Sequence, residues 1–169
     1  MAKTLWLAVG IPGIGKSTWL KNHKNKFVGS TEIISRDAIR FSMLKEGEDY
    51  FSHEDAVWTK YVNDAKASLK YNENTILDAT HLNEASRTKI LRALRSSLKD
   101  VTINAIVFKG DTSTALNRNS QREGNAFVPF SVIRRMSTQV TMPSEKEGFN
   151  KVYIIDVDNN DKITEKVGG

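Results

Sequence analysis

The sequence predicts an α/β fold in which helices cover both faces of a central parallel sheet of about five strands, giving three layers (α/β/α). Apolar runs of strand length alternate with amphipathic helical segments along the chain, and this alternation is typical of a parallel sheet with helices on both faces. The first run, from Leu5 to Val9, is apolar without interruption, as expected for a strand that is buried on both faces. The length of 169 residues suits one domain, which we expect to span residues 1–169.

Composition narrows the class of protein. The sequence is 39% hydrophobic and 27% charged, which is typical of a globular protein. It contains no cysteine, which excludes disulfides, thiolate zinc sites and cysteine nucleophiles. We expect a cytoplasmic protein without a membrane partner, because no apolar run approaches the roughly 18 residues of a membrane span and the amino terminus does not resemble a signal peptide. The net charge of +5 weakly favours an anionic partner such as nucleic acid.

The remaining elements follow from the hydrophobic pattern. It predicts four further strands, at 32–35, 75–78, 101–108 and 152–155. It predicts helices at 15–24, 36–44, 52–71, 84–98, 112–122 and 129–139, and a polar tail at 159–169. In the third helix, apolar residues recur every four positions and should form its buried stripe: Val57, Tyr61, Ala65 and Leu69. We expect Ser52 with Asp55 to cap this helix, and Asn83 to cap the next one.

A phosphate-binding loop follows the first strand. The segment from Gly10 to Thr18 reads G-I-P-G-I-G-K-S-T and fits the pattern G-x-x-x-x-G-K-[ST]. Its glycines let backbone N–H groups surround a polyphosphate at the start of a helix. The residues predicted to contact the nucleotide are Gly10, Pro12, Gly13, Ile14, Gly15, Lys16, Ser17 and Thr18.

This loop also indicates the ligands. Lys16 is expected to reach the β- and γ-phosphates of ATP or another nucleoside triphosphate, which makes it a candidate catalytic residue. The Ser17 hydroxyl is a candidate ligand of Mg²⁺. Asp78 ends the third predicted strand. A Walker-B-type acid at such a strand end holds Mg²⁺, often through water. The alternative for Asp78 is a cap on the turn at 79–81.

A second candidate for chemistry follows the second predicted strand. Asp37 and Arg40 lie three residues apart on a helical segment, so both side chains can face one substrate. A kinase that acts on an alcohol needs a carboxylate to accept the hydroxyl proton, and Asp37 is the candidate base. Arg40 is the candidate for holding a phosphate of the acceptor. The alternative is an ion pair on the surface of the helix.

A third candidate site is a pair of arginines. Arg118 and Arg122 lie on one face of a predicted helix, and a flexible segment follows at 123–125. Arginines of this kind can stabilise the charge of a transferring phosphoryl group, so we expect a small helical lid at about 112–130. The alternative is a solvated helix face. Near the predicted site, His81 is expected to have a hydrogen-bonding role rather than a metal-binding one.

Four stretches together resemble the kinase domain of phage-type polynucleotide 5′-kinases, over residues 5–139. They read GIPGIGKSTW at 10–19, ISRDAIR at 34–40, LDATHLN at 77–83 and RNSQR at 118–122, with Val-Pro at 128–129. The first is shared by many kinases, whereas the order and spacing of all four are more specific. The resemblance implies a P-loop kinase-like fold without the phosphatase domain of larger members.

The resemblance also implies the roles of individual site residues. It makes Asp37 the general base on a 5′-hydroxyl of DNA or RNA, and it places Arg40 on the 3′-phosphate side of the acceptor. It implies that Arg122 grips the donor phosphates with Arg118 alongside. Ala38 departs from the family pattern, where a second acid is common, and Gln121 departs from it where lysine is common.

The sequence therefore predicts an ATP- and Mg²⁺-dependent polynucleotide 5′-hydroxyl kinase. One alternative is a P-loop kinase of a small-molecule hydroxyl, such as that of a nucleoside, a sugar or an antibiotic. The other is a nucleotide-binding module without phosphotransfer. A basic, open channel beside Asp37 and Arg40 would favour a polynucleotide acceptor, and a closed pocket would favour a small one.

Overall fold

Six strands form one central sheet in the computed structural model, which describes residues 2–122 and 128–166. The strands are β1 (Lys3–Val9), β2 (Thr31–Ser35), β3 (Asn74–Asp78), β4 (Val101–Lys109), β5 (Lys151–Asp156) and β6 (Lys162–Glu165). Their order across the sheet is β2-β3-β1-β4-β5-β6. The first five strands are parallel, and β6 pairs with β5 in the antiparallel direction.

The predicted three-layer fold is confirmed, but the strand count differs from the prediction of five. β6 lies within the segment at 159–169 that was predicted to be a polar tail. This strand is exposed and mostly polar, with the sequence KITE. The sequence therefore contains no apolar run that would mark it as a strand. Asn160 and Asp161 both have positive φ, 52° and 56°, and two such residues form the tight turn that reverses the chain onto β5.

Within the described ranges, six α-helices cover the two faces of this sheet. They are α1 (Lys16–Asn22), α2 (Arg36–Met43), α3 (Glu54–Tyr71), α4 (Glu84–Ala93), α5 (Thr112–Ser120) and α6 (Phe130–Ser137). Successive side chains of a strand point to opposite faces. Leu5, Leu7 and Val9 of β1 therefore join the core with α3 and α4, whereas Ala8 joins the core with α1, α5 and α6.

Helix α3 has the predicted buried stripe but a different start. Its four stripe residues are at most 2% exposed. The helix begins at Glu54 after His53, and no side chain caps it. The Ser52 hydroxyl donates instead to the carbonyl oxygen of Asp49, at 2.7 Å. The predicted cap of Ser52 with Asp55 is therefore wrong, because Ser52 belongs to the preceding turn.

The cap predicted at the start of α4 is confirmed. The side chain of Asn83 accepts a hydrogen bond from the Ser86 amide at 2.9 Å, and the Asn83 amide donates to the Ser86 hydroxyl. Helix α4 ends at Ala93, earlier than predicted, and a 3₁₀ turn at Arg95–Ser97 continues the chain. Among the residues that the structure covers, no helix is long and apolar enough to cross a membrane.

A buried arginine connects α4 to two other segments. The side chain of Arg87 is 1% exposed and pairs with Glu147, from Nε to Oε1 at 2.7 Å. Its Nη1 donates to the carbonyl oxygens of His81 and Thr141, at 2.9 and 3.0 Å. Arg87 therefore ties the turn after β3 to the chain that leads into β5, and it is not part of the exposed face of α4.

Replacing Arg87 should destabilise the fold strongly. In Arg87→Met, the carboxylate of Glu147 stays buried without its partner, and breaking a buried pair in this way costs about 3–5 kcal/mol. Urea unfolding should show this decrease in the free energy of unfolding. Arg92→Met, at an exposed position on the same helix, should change it by about 0.5 kcal/mol or less. Equal effects of the two substitutions would contradict the assigned role.

Candidate active site

Three strand ends define the position of the candidate site. In the sheet, Asp78 at the end of β3 is level with Ala8 of β1 and with Ser35 of β2. The phosphate-binding loop, helix α2 and the turn after β3 therefore leave the same edge side by side. In parallel α/β sheets this carboxyl edge is where ligands bind.

The phosphate-binding loop depends on two glycines with left-handed backbones. Gly13 has a φ of 83° and Gly15 a φ of 104°. A Cβ at Gly13 would lie 2.5 Å from the carbonyl oxygen of Ala115 in α5. A Cβ at Gly15 would lie 2.4 Å from Nη1 of Arg118, which donates to the Ile14 carbonyl oxygen at 2.8 Å. Both glycines thus permit the loop fold and the close approach of α5.

Lys16, Ser17 and Asp78 lie together beneath this loop. The Ser17 hydroxyl donates to Oδ2 of Asp78 at 2.5 Å, and Asp78 is buried. Lys16 is also buried. Burial lowers the pKa of the Lys16 ammonium, while the carboxylates of Asp78 and Asp37 act in the opposite direction. The lysine therefore lies within the electrostatic range of both candidate acids.

The Ser17 hydroxyl and the Asp78 carboxylate fit a magnesium site. Mg²⁺ prefers oxygen ligands and takes few of them from the protein, since water and phosphate oxygens complete its shell. A serine hydroxyl beside a buried carboxylate, at the end of a phosphate-binding loop, matches that donor set. Within residues 2–122 and 128–166, no three His, Asp or Glu side chains are grouped so that they could hold a metal ion, at this site or elsewhere.

His81 supports the loop from the side of β3. It is buried, its Nδ1 lies 2.6 Å from the Ala8 carbonyl oxygen, and its Nε2 lies 3.1 Å from the Tyr61 hydroxyl. Burial lowers the pKa of His81 to about 4, so the ring is neutral at pH 7. The neighbouring Thr80 carbonyl oxygen accepts a hydrogen bond from the Gly10 amide at 3.0 Å. These contacts agree with the predicted hydrogen-bonding role.

Asp37 is held by two donors. Nη1 of Arg40 pairs with its Oδ1, and the Tyr50 hydroxyl donates to the same oxygen at 2.6 Å. Burial, and then the charge of Asp37, raises the pKa of Tyr50 well above its ordinary range. The Tyr50 hydroxyl therefore stays protonated and acts as a hydrogen-bond donor. Oδ2 of Asp37 makes no hydrogen bond to any residue in the described part of the chain.

Glu54, at the start of α3, binds both arginines of α2. Its Oε1 accepts from Nε of Arg40 at 2.6 Å, and its Oε2 accepts from Nη2 of Arg40 and from Nη2 of Arg36, each at 3.1 Å. Burial, the largest single effect, lowers the pKa of the Arg40 guanidinium, but Glu54, Tyr50 and Asp37 together outweigh it and raise that pKa. No motif in the sequence marks Glu54 or Tyr50, so neither was predicted as a site residue.

A cavity of about 160 Å³ brings most of the candidate residues together. The predicted residues that line it are Pro12, Lys16, Ser17, Asp37, Arg40, Asp78 and Arg122. Four further residues complete the side of the cavity formed by α2, α3 and the segment between them: Arg36, Tyr50, Phe51 and Glu54. Arg118 does not line the cavity, since its side chain lies against the loop at Ile14.

The connection between α5 and α6 is closed by one buried side chain. The amide of Asn119 donates to the Val128 carbonyl oxygen at 2.6 Å and accepts from the Val128 amide at 2.9 Å. Arg122 is the last described residue on the α5 side of this connection. The segment at 123–125, which was predicted to be flexible, lies outside the described residues, and the lid at 112–130 remains a prediction.

The fold and this site define a P-loop kinase-type nucleotide-binding domain. A family model described as "AAA domain" matches residues 5–143. The chain belongs to this family.

Solved structures with the same fold include several kinds of protein. In two structures of the Pnkp1/Rnl/Hen1 complex, one described as an RNA repair complex, a chain is 22% identical to this one, with TM-scores of 0.58 and 0.68. These matches cover 69% and 98% of this chain, but only 38% and 49% of the matched chains.

Two further structures match nearly the whole chain. A sugar kinase from Janibacter sp. HTCC2649 is 15% identical, with a TM-score of 0.63, and the match covers 93% of this chain and 87% of that chain. A structure from the PezAT toxin–antitoxin system of Streptococcus pneumoniae is also 15% identical, with a TM-score of 0.69, over 96% of this chain and 70% of that chain. At such identities the likeness shows the fold.

The neutral, buried state of His81 predicts a dependence of stability on pH. Its pKa is lower in the folded protein than the ordinary 6.5, so the unfolded chain binds a proton first as the pH falls. Stability should be retained above pH 6.5 and lost between pH 6.5 and about 4, with a slope that approaches about 1.4 kcal/mol per pH unit from this residue.

Urea unfolding at a series of pH values measures this slope. His81→Asn is the informative variant, because asparagine tolerates the positive φ of 44° at this position and its amide can donate to the Ala8 carbonyl oxygen. The variant should lose part of the pH dependence within the window. An unchanged slope would contradict a neutral His81.

Proposed function

We propose that this protein transfers the γ-phosphoryl group of ATP, or of another nucleoside triphosphate, to a 5′-hydroxyl end of DNA or RNA. The observation that carries the proposal is that the Asp37 carboxylate lines the same cavity as Lys16 and Ser17 of the phosphate-binding loop. A module that only binds nucleotide needs no such carboxylate opposite the phosphates.

On the donor side, the loop amides and Lys16 bind the phosphates of the nucleotide. Ser17 would ligate Mg²⁺ directly and Asp78 would hold its water shell, and the ion would offset the negative charge of the phosphates. Arg122 stabilises the charge of the transferring phosphoryl group, and Arg118 supports the loop from α5. The segment at about 112–130 works as a lid of the single domain.

On the acceptor side, Asp37 is the general base. Its Oδ2, which Arg40 and Tyr50 leave unbound, accepts the proton of the 5′-hydroxyl while the hydroxyl oxygen attacks the γ-phosphorus. The bond between that phosphorus and the β,γ-bridging oxygen breaks, and the nucleoside diphosphate leaves. Arg40 pairs with Asp37 and positions the acceptor from its 3′-phosphate side, as the resemblance implies.

The charges that line the cavity support an anionic acceptor. Cationic side chains outnumber carboxylates in this lining, with Lys16, Arg36, Arg40 and Arg122 beside Asp37, Glu54 and Asp78. Basic surroundings of Asp37 and Arg40 are the condition that favours a polynucleotide over a small, neutral alcohol. The net charge of +5 agrees with a polyanionic acceptor.

A panel of acceptors tests the proposed function. Labelled γ-phosphate should be transferred from ATP to 5′-hydroxyl DNA or RNA oligonucleotides, with a higher kcat/KM than to mononucleotides, nucleosides or sugars. Transfer to monomers alone would contradict the polynucleotide acceptor and favour a small-molecule kinase. Slow ATP hydrolysis without any labelled acceptor would favour a nucleotide-binding module.

The base assignment predicts the behaviour of Asp37→Asn. The variant should fold and bind ATP, but kcat should fall by about 10²–10⁴, which is the usual contribution of general base catalysis. Steady-state kinetics with an oligonucleotide measures this fall. Asp55→Asn, an identical change at an exposed position of α3, should leave kcat unchanged. Substantial turnover by Asp37→Asn would remove Asp37 from this role.

A further inference from the structure

One stretch of the chain carries positive charge without any acidic residue. Residues 85–99 form most of helix α4, the 3₁₀ turn after it and the loop that leads to β4. They contain five cationic side chains and no carboxylate. One of the five is the buried Arg87. The other four are exposed and form a basic stripe: Lys89, Arg92, Arg95 and Lys99.

The basic stripe follows α4 and continues past its end. Its members are separated by three, three and four positions, and the first two share one face of the helix. At roughly 1.5 Å per residue, the stretch from Lys89 to Lys99 spans about 15 Å. This is about the length of four nucleotides at the rise of a DNA strand.

The charges of the stripe have no carboxylate partner in the described part of the chain. Among residues 2–122 and 128–166, none of the four cations forms an ion pair. The neighbouring carboxylate of Glu147 is 5% exposed and is already paired with Arg87. The stripe therefore presents positive charge to the solvent, which attracts an anionic partner.

A groove of about 420 Å³ adjoins the far end of the stripe. It is lined by the exposed side chains of Arg92, Arg95 and Lys99, and by three half-buried apolar side chains: Leu91, Leu98 and Ile103. A groove that combines cations with apolar surface fits a single nucleic acid strand, because the cations follow the phosphates while sugars and bases lie on the apolar surface.

Trp58 connects the stripe to the candidate active site. Arg36 lines the cavity, and its Cζ lies 5.3 Å from the ring centre of Trp58. On α4, Nζ of Lys89 lies 4.4 Å from the same ring centre. Because both cations lie against one ring, positive charge continues from the wall of the cavity onto the first member of the stripe.

We propose that the basic stripe binds the backbone of the acceptor polynucleotide downstream of its 5′ end. This inference rests on the proposed function and adds a contact region outside the cavity to the same site. The strand leaves the cavity past Trp58, meets Lys89 first and then follows the stripe to Lys99, which lies near the start of β4. A small-molecule acceptor does not reach this surface, so the stripe serves only a polymer.

The length of the acceptor tests this inference. A trinucleotide, a hexanucleotide and a dodecanucleotide, all with a 5′-hydroxyl and one repeated base, are compared as acceptors. For the wild type, kcat/KM should rise with length, because a longer strand reaches more of the stripe. A triple variant with Arg92→Gln, Arg95→Gln and Lys99→Gln should lose the advantage of the dodecanucleotide over the hexanucleotide. Its reaction with the trinucleotide and its KM for ATP should stay unchanged.

Single substitutions test the direction of the strand. Lys89→Gln removes the cation nearest the cavity and should already lower kcat/KM for the hexanucleotide. Lys99→Gln removes the most distant cation and should lower kcat/KM only for the dodecanucleotide. A substitution that acted only through the stability of α4 would not depend on the length of the acceptor. Thermal unfolding of each variant checks that it is folded.

Binding without catalysis measures the number of phosphate contacts. Fluorescence anisotropy of the dodecanucleotide, labelled at its 3′ end, gives Kd at a series of salt concentrations. Each phosphate contact of a single strand contributes about 0.7 to the slope of log Kd against log salt, so the triple variant should lower this slope by about 2. The matched control replaces three exposed lysines on the other face of the sheet by glutamine, and should keep the wild-type slope: Lys21, Lys24 and Lys26.

The outcomes distinguish this inference from the proposed function. If the triple variant keeps the wild-type slope and the preference for the dodecanucleotide, the role of the stripe is wrong while the polynucleotide kinase stands. The same conclusion follows if the variant slows all three acceptors by one factor, or if the control lowers the slope as much. If the wild type phosphorylates none of the oligonucleotides, the proposed function is overturned and the inference falls with it.

Discussion

The parallel pairing of β1, β2 and β3 is the constraint on which the candidate site depends. It sets Ala8, Ser35 and Asp78 level at one edge of the sheet, so three connections start from neighbouring points. A shift of the register by one residue would turn the side chains of a strand to the other face and would separate Asp78 from Ser17. The apolar side chains on both faces of β1 and β3 resist such a shift, because it would disturb two cores at once.

Buried polar groups then fix the positions of the segments that leave this edge of the sheet. Arg87 fixes the turn after β3 from below, and His81 joins that turn to the end of β1. On the other side of the cavity, Glu54 connects α3 to α2 and so determines where Asp37 stands. These contacts are satisfied inside the protein and cost little as long as every partner is present. These contacts fix the candidate site on the side of β3 and α2, and its other side is formed by the loop together with Arg122 and Met136.

The hydrophobic pattern was enough to predict the first five strands, because parallel strands are buried on both faces and form apolar runs. β6 was not predicted because an exposed edge strand has no such apolar run. The turn that precedes it, at Asn160 and Asp161, is as polar as the rest of the segment and so did not mark a strand boundary. In the candidate site, Lys16, Ser17, Asp37 and Asp78 were found through the loop pattern and the strand-end rule. Glu54 and Arg87 have no local signal: Arg87 resembles its exposed neighbours on α4, and its burial depends on Glu147, which lies 60 residues away in the sequence.

The pair of hydrogen bonds between Asn119 and Val128 has a consequence for Arg122. The buried side-chain amide takes the place of a backbone neighbour and joins the end of α5 to the start of α6. Arg122 follows Asn119 closely, and its amide donates to the Asn119 carbonyl oxygen at 3.0 Å. The arginine therefore has a fixed root from which its side chain reaches the cavity, and residues on the outer surface of either helix can vary while it keeps its place.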